Sequence, residues 1–118
     1  MIDLISIPFP PSTNSCWRAI GRGRVISSAK YREFCAEVAG LVEPLGLTCR
    51  LEAQIVLHAP TRRKYDIDNR IKPLLDALES AGVFENDEQI DKLAVQRGPV
   101  WPRNGTALIW ITESDTLQ

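Results

Sequence analysis

The sequence has no long hydrophobic run, few cysteines and a single histidine, and each shortage excludes a class of protein. No apolar run among the 118 residues approaches the length needed to span a bilayer. Cys16, Cys35 and Cys49 are an odd number without C-x-x-C spacing, which argues against a disulfide framework and against a zinc site. His58 alternates onto the outer face of its strand, which favours a structural or exposed role over that of a general base.

The composition is that of a soluble protein with one core. Hydrophobic residues make up 44% of the chain and charged residues 25%, and the length suits a single domain spanning residues 1–118. The N-terminus, MIDLISIPFPPS, has no basic start and carries an early acidic residue, so it does not resemble a signal peptide. We therefore expect a cytoplasmic protein that does not associate with membranes.

The net charge of −1 hides an uneven distribution of charged residues. Five basic residues and no acidic ones lie between Trp17 and Arg32, whereas six acidic residues and no basic ones lie between Asp76 and Asp91. Such asymmetry is typical either of solvated faces or of an anion-binding surface beside an acidic site.

The hydrophobic patterns predict an α/β chain of the α+β type, with one mixed sheet, two helices packed on it and the order β-α-β-α-β-β. A first strand is expected over residues 2–7, and alternation predicts another within residues 49–59. The first helix runs from a cap at Ser27 or Ser28 to about Val42.

The second helix follows Asp68, because apolar residues recur from Ile71 to Leu78 with helical spacing and Gly82 is a good terminator. Pro73 lacks an N–H group, so a kink or a later start of this helix is expected.

Two strands are predicted near the C-terminus, over residues 92–100 and 106–113. The loop between them ends in Asn104-Gly105, a strong hairpin signal. Residues 14–27 contain Gly21-Arg22-Gly23, which suits a mobile loop or a hairpin tip.

Asp66 and Asp68 lie where the strand gives way to the second helix, directly after three basic residues. Residues two apart in an extended segment point to the same side, so both carboxylates are expected to face one point. Asp68 alone is alternatively explained as the N-cap of the helix, but a cap leaves Asp66 unexplained.

A polar stripe continues along the helix, since Lys72 lies four residues after Asp68 and Asp76 four after Lys72, the spacing of surface ion pairs. A short return after the helix would bring Asp87 near the sheet. Three carboxylates at one point bind a hard cation, typically Mg²⁺.

This arrangement favours a metal-dependent phosphodiesterase. The metal would activate water and stabilise charge on a phosphate, the lysine would add a positive charge for the transition state, and the basic run would hold a polyanion. The D-x-D spacing also occurs in glycosyltransferases and in phosphatases with an aspartyl nucleophile. A calcium loop is excluded because no glycine follows at the required place.

Three stretches, IPFPPSTNSCWR, RRKYDIDNRIKPLLDALESAG and VFENDEQIDKL, together resemble the RusA family of Holliday junction resolvases over nearly the whole chain. The resemblance implies a homodimeric endonuclease that depends on Mg²⁺, or on Mn²⁺ in its place, and nicks four-way DNA junctions symmetrically in recombination and repair. It implies metal-binding carboxylates at Asp66, Asp68 and Asp87, and an active-site lysine at Lys72.

The residues expected to contact DNA are Arg62, Arg63, Lys64, Asn14, Arg18, Arg22 and Arg24. The basic run and Asn14 match family positions, whereas the loop around Arg22 is either a second DNA contact or a solvated tip. Asn86 is a departure, since an aspartate can stand there, and it leaves Asp87 as the candidate ligand.

Two other functions stay open. One is a DNA-junction-binding dimer with weak or no cutting, and the presence of all the matched acidic residues counts against it. The other is a small-nucleotide phosphohydrolase, which would need no extended track of cations. A homodimer is expected because paired cuts require a two-fold axis. The apolar residues Leu108 to Ile111 suit an interface or a strand buried on both faces.

Overall fold

The computed structural model describes residues 3–114 as a four-stranded mixed sheet with two helices and a separate two-stranded hairpin. The elements are β1 (Asp3–Ile7), β2 (Trp17–Ala19), β3 (Val25–Ser27), α1 (Ala29–Leu41), β4 (Leu51–His58), α2 (Asp68–Ser80), β5 (Ile90–Arg97) and β6 (Thr106–Glu113). Two short 3₁₀ helices, here named the N-terminal turn (Thr13–Ser15) and the acidic turn (Asp87–Gln89), precede β2 and β5. The predicted α+β class and order of the main elements are confirmed, with the β2–β3 hairpin added.

The main sheet has the order β1-β6-β4-β5, in which β5 is parallel to β4 and the other pairs are antiparallel. Because α2 connects β4 to β5, the carboxyl ends of these two parallel strands lie at the same edge of the sheet. This edge is where the chain leaves β4 toward Asp66 and Asp68.

The predicted hairpin between the last two strands is wrong, because β4 lies between them and pairs with β6 through opposed residues such as Ile55 and Ile109. The connecting loop instead crosses the end of β4. Gly105 has a φ of +68°, and a Cβ there would lie 2.7 Å from the carbonyl oxygen of His58. The glycine therefore permits a close crossing rather than a two-residue turn.

Alternate residues of β4 and β6 bury one face of the sheet against the helices, as the alternation predicted. The buried core includes Ile5, Ile7, Phe34, Val38, Leu51, Ile55, Leu57, Leu74, Leu78, Ile109 and Ile111. On the opposite face, here named the outer face, Leu4, Trp110 and Gln54 lie side by side in register across β1, β6 and β4. Leu4 is 47% exposed, so this face carries uncovered apolar surface.

The helix boundaries follow from local sequence. The Oγ of Ser28 accepts a hydrogen bond from the N–H of Tyr31 at 3.1 Å, which confirms Ser28 as the cap of α1. The later start considered for α2 is wrong, since the helix begins at Asp68 and contains Pro73. Gly82 follows its end with a φ of +84°.

The ends of the outer strands differ slightly from prediction. β5 begins two residues earlier than expected and ends at Arg97, because Pro99 has no N–H to offer the sheet. Ile2, expected in β1, lies outside the described residues. Within residues 3–114, no helix has the length and apolarity required to cross a membrane.

Candidate active site

Asp66 and Asp68 flank the point at which the chain enters α2. Ile67 is the residue before the helix and already has helical angles, φ −64° and ψ −35°. The N–H of Asn69 also donates to the carbonyl oxygen of Asp66 at 3.2 Å, which closes a turn. The prediction that an extended segment places both carboxylates on one side is therefore wrong.

The hypothesis that Asp68 is an N-cap is also wrong. Asp68 is the first residue within α2, and no side chain caps this end of the helix. Asp66 and Asp68 are exposed, and neither carboxylate has a hydrogen-bond or ion-pair partner among residues 3–114. Both carboxylates are free to bind a ligand from solution.

Lys72 lies one turn after Asp68 and binds two other carboxylates. Its Nζ lies 2.9 Å from Oδ1 of Asp76 and 3.0 Å from Oδ2 of Asp87. The hydrogen bonds that Lys72 donates to these two carboxylates, the one to Asp76 first, raise the pKa of Lys72 above its ordinary value. The ion pair with Lys72 places Asp87 beside α2, whereas the sequence predicted only a return of Asp87 toward the sheet.

Asp87 is fixed by the acidic turn. Its N–H donates to Oε1 of Glu79 in α2 at 2.9 Å. Asn86 caps the turn, because its Oδ1 accepts from the N–H of Glu88 while its own N–H donates to Oε1 of Gln89, each at 2.9 Å. The asparagine that departs from the family pattern therefore has a structural role as one half of a capping box.

Arg50 anchors the acidic turn to the chain that enters β4. Its Nε donates to Asp91 and its Nη1 to Glu88, both at 2.9 Å. The hydrogen bond from Arg50 lowers the pKa of Asp91. Asp91 and Asp76 are thus already paired with cations, unlike Asp66 and Asp68.

The donor set fits a hard cation, although the carboxylates are not gathered into one group. Within residues 3–114, no three His, Cys, Asp or Glu side chains lie close enough together to hold a metal ion. Mg²⁺ requires fewer, since it commonly binds one or two carboxylates and completes its shell with water and substrate phosphate. Among the described residues, Asp66 and Asp68 each offer one unpaired carboxylate for such a site, whereas Asp87 is paired with Lys72.

The basic run lies beside Asp66 in an open cleft of about 450 Å³, here named the Asp66 cleft. Its charged lining residues are Arg62, Arg63, Lys64, Asp66 and Arg97. Four cations therefore surround one carboxylate, which would bring a phosphate backbone to Asp66.

Arg97 is a lining residue that the sequence reasoning missed. Its Nη1 donates to the carbonyl oxygen of Tyr65 at 3.1 Å, and its guanidinium lies 4.4 Å from the centroid of the Tyr65 ring. Arg97 thus holds the residue next to Asp66 by both backbone and ring. The sequence did contain a signal for this contact. Two strands joined by a helix are typically parallel, so the carboxyl end of β5, with Arg97, is expected beside the carboxyl end of β4.

Thr13 connects the N-terminal turn to the first turn of α2. Pro73 has no N–H for the carbonyl oxygen of Asn69, and the hydroxyl of Thr13 donates to that oxygen at 2.9 Å. Asn14, exposed in the same turn, is thereby held beside the helical turn that contains Asp68.

Arg70 also connects α2 to the N-terminal segment. Its Nη1 donates to the carbonyl oxygen of Pro10 at 2.8 Å, and its guanidinium lies 5.0 Å from the centroid of the Phe9 ring. Its Nε is buried and has no hydrogen-bond partner among the described residues. Burial lowers the pKa of Arg70.

The remaining predicted residues lie apart from the Asp66 cleft. Arg18, Arg22 and Arg24 are exposed in the β2–β3 hairpin, whose tip is Gly21-Arg22-Gly23 as predicted; their contact with DNA stays a prediction. Nδ1 of His58 lies 2.8 Å from the carbonyl oxygen of Pro99, which confirms a structural histidine. The three cysteines are free thiols, as expected.

Comparisons with known proteins agree over almost the whole chain. The family described as endodeoxyribonuclease RusA matches residues 8–112. A crossover junction endodeoxyribonuclease of Enterobacteria phage HK97 is 36% identical over 115 residues, covering 94% of each chain. The crossover junction endodeoxyribonucleases of Escherichia coli strain K12 and of Enterobacteria phage 82 are each 34% identical over 113 residues, covering 92% of each chain.

Proposed function

Because the chain belongs to the RusA family, we propose that it is a Holliday junction resolvase, an endonuclease that cuts four-way DNA junctions. One observation at the site supports this proposal. Two unpaired carboxylates, Asp66 and Asp68, stand at the end of α2, and Asp66 shares its cleft with four cations. A small nucleotide would need fewer cations than this cleft provides, so the arrangement favours a polymeric substrate.

Mg²⁺, or Mn²⁺ in its place, would be held by Asp66 and Asp68. When bound, it would supply Lewis acidity at the scissile phosphate and lower the pKa of a water molecule. Asp87 would supply a third carboxylate to the metal once its ion pair with Lys72 had opened. Lys72 would keep its ion pair with Asp76 and would offer the rest of its ammonium group to the developing negative charge.

The phosphate backbone would approach over the basic run. Arg62, Arg63 and Lys64 are exposed and line the cleft, while Arg97 is fixed on Tyr65 and offers a pre-positioned cation. Asn14 stands beside the first turn of α2, where it can donate to a sugar or phosphate oxygen. These contacts read no sequence, which suits recognition of a branched shape.

A homodimer would supply two sites related by a two-fold axis, as paired cuts require. The outer face supports this part of the proposal, because Leu4 is 47% exposed there and Trp110 and Leu108 are only half-buried. β6 is central in the sheet and is covered by the helices on one face only, so its apolar residues are not explained by burial on both sides.

One assay tests the proposed activity. The protein is incubated with a synthetic four-way junction, a linear duplex of the same sequence and a nucleoside triphosphate, each with and without Mg²⁺. We expect paired nicks in the junction alone, and only with the metal. Binding without any nicking would favour the DNA-binding dimer, and hydrolysis of the nucleotide would favour the phosphohydrolase.

A further inference from the structure

A second cleft lies on the other side of the basic run. This aromatic cleft has a volume of about 540 Å³ and lies between the proline segment 8–11, α1 and the residues that follow β4. Arg63, Lys64 and Tyr65 line both this cleft and the Asp66 cleft. The basic run is therefore a ridge with a depression on each side, and a strand that crosses it enters both.

The two clefts differ in chemistry. The walls of the aromatic cleft are partly apolar and partly charged, and the apolar part includes Phe9, Phe34 and four prolines. The ring of Phe9 meets that of Tyr65 edge to face, with centroids 5.3 Å apart, and the guanidinium of Arg70 lies within 5.6 Å of both ring centroids. Such a wall suits a planar aromatic ligand rather than a phosphate.

Polar groups are placed around this apolar wall. Lys30, Glu33 and Glu37 project from one face of α1 at the mouth of the cleft, so both hydrogen-bond donors and acceptors are present. The carboxylates of Glu33 and Glu37 would repel a phosphate, but they can accept from the amino groups of a base. Arg70 has no carboxylate partner among the described residues, and its guanidinium lies against the rings of Phe9 and Tyr65 in the cleft wall.

From this geometry we propose that the aromatic cleft receives one unpaired nucleobase of the junction strand whose phosphate lies in the Asp66 cleft. The inference rests on the proposed function, since it assumes that a DNA strand crosses the basic ridge. A branch point lowers the cost of unstacking a base, because pairing there is already disturbed. Stacking in the cleft would then determine which phosphate comes to rest beside Asp66.

The test uses junctions in which a single nucleotide near the cut is abasic, moved one position at a time. With the wild-type protein and Mg²⁺, we expect one abasic position to slow single-turnover cleavage roughly tenfold, the usual scale of one base stacked on an aromatic ring. Phe9→Leu keeps an apolar side chain but removes the aromatic plane. This variant should cut the abasic and intact junctions at rates within about twofold of each other, because the stacking is already lost.

Two further variants complete the design. Glu33→Gln, on the exposed face of α1, replaces a charged acceptor by a weaker amide acceptor and should partly reduce the discrimination without risk to the core. Trp101→Leu removes an exposed aromatic ring outside the cleft and should keep the full tenfold effect. The inference is overturned if no abasic position matters to the wild-type protein, or if Phe9→Leu and Glu33→Gln both discriminate as it does. Failure of the wild-type protein to cut the intact junction would instead refute the proposed function.

Discussion

The hydroxyl of Thr13 takes the place of the backbone N–H that Pro73 lacks. It donates to the carbonyl oxygen of Asn69, the acceptor that a residue with an N–H would reach from position 73, at 2.9 Å. The proline thus opens a bonding site on the first turn of α2, and the N-terminal turn fills it. Asp68 and Asn14, each next to one partner of this bond, are held in a fixed relation.

Thr13→Val should destabilise the protein by about 1 kcal/mol, because it keeps the shape of the side chain and leaves the carbonyl of Asn69 without a donor. Pro73→Ala restores the N–H, so the same Thr13→Val change should cost less in that background. Urea unfolding of the four proteins in this double-mutant cycle measures the coupling. Equal costs in both backgrounds would contradict the exchange of donors.

The same variants test whether the bond matters for activity. Thr13→Ser keeps the hydroxyl and should retain both stability and junction cleavage. Thr13→Val should lower the rate at which the bound junction is cut more than it lowers the affinity for the junction. The substitution displaces Asn14 relative to Asp68 but removes no charge. A loss of stability with unchanged cleavage would mean that the tether serves folding alone.

Arg97→Ala should weaken junction binding and also release Tyr65. The substitution removes a cation from the Asp66 cleft together with the contact over the Tyr65 ring, which is worth roughly 0.5–1 kcal/mol at such a site. Arg97→Lys keeps the charge but loses the stacked plane, so it should restore the salt dependence of binding and not the stability. Thermal melts and binding titrations across salt concentrations separate the two effects. Arg103→Gln, an exposed cation outside this cleft, should change neither.

Lys72→Met should reduce junction cleavage by roughly 10²–10³ while affecting binding little, as expected for the loss of one preorganised charge. The ion pairs with Asp76 and Asp87 raise the pKa of Lys72. Its electrostatic contribution is therefore present at neutral pH and is lost only as pH rises through that elevated pKa. The cleavage rate of the wild-type protein should not fall between about pH 7 and about pH 10, where an ordinary lysine begins to titrate. Near-normal cutting by Lys72→Met would assign Lys72 to the ion pairs alone.

The sequence identified the ion-pair stripe of α2 because helical spacing alone places Lys72 beside Asp76. It also identified the buried alternation of β4 and the cap of α1 at Ser28, which depend on neighbours along the chain. The contacts that it missed join distant segments. Arg97 reaches Tyr65 only because β5 lies parallel to β4, and the apparent hairpin at Asn104-Gly105 drew attention away from that pairing.

Two further differences have causes that a sequence pattern does not show. Ile67 already has helical angles, so Asp66 and Asp68 are separated by a turn rather than by an extended residue. Pro73 is tolerated within α2 because Thr13, sixty positions away in the chain, supplies the missing donor. Neither partner of that bond indicates the other until the fold is known.

Trp110→Arg should dissociate the proposed homodimer. The side chain lies at the centre of the outer face, with Leu4 and Gln54 on either side in register, and a charge there would have to be desolvated on association. Sedimentation equilibrium at micromolar concentration should show a dimer for the wild-type protein and a monomer for the variant. Trp101→Arg, a charge placed in the loop between β5 and β6, is the matched control and should remain dimeric. A wild-type monomer would refute the homodimer.

Replacing Asp66, Asp68 or Asp87 by asparagine should separate binding of the junction from cutting. Each change keeps the shape of the side chain and removes one negative charge, so binding without Mg²⁺ should hold steady or tighten as repulsion of the phosphates falls. Cleavage with Mg²⁺ should collapse for Asp66→Asn and Asp68→Asn, because an amide is a poor ligand for a hard cation. Gel shifts and cutting assays on the same preparations measure both quantities.

The third variant distinguishes two roles of Asp87. If Asp87 is a metal ligand, Asp87→Asn should abolish cutting even in a Lys72→Met background, where the ion-pair partner of Asp87 is already absent. If Asp87 only positions Lys72, Asp87→Asn should add little to the loss of cutting that Lys72→Met causes alone, since both changes then break the same interaction. Thermal melts should show all three asparagine variants folded, because Asp66 and Asp68 have no partner to lose within residues 3–114 and Asp87 loses only its ion pair with the exposed Lys72 side chain. Cutting retained by all three would remove the metal site from the proposed function.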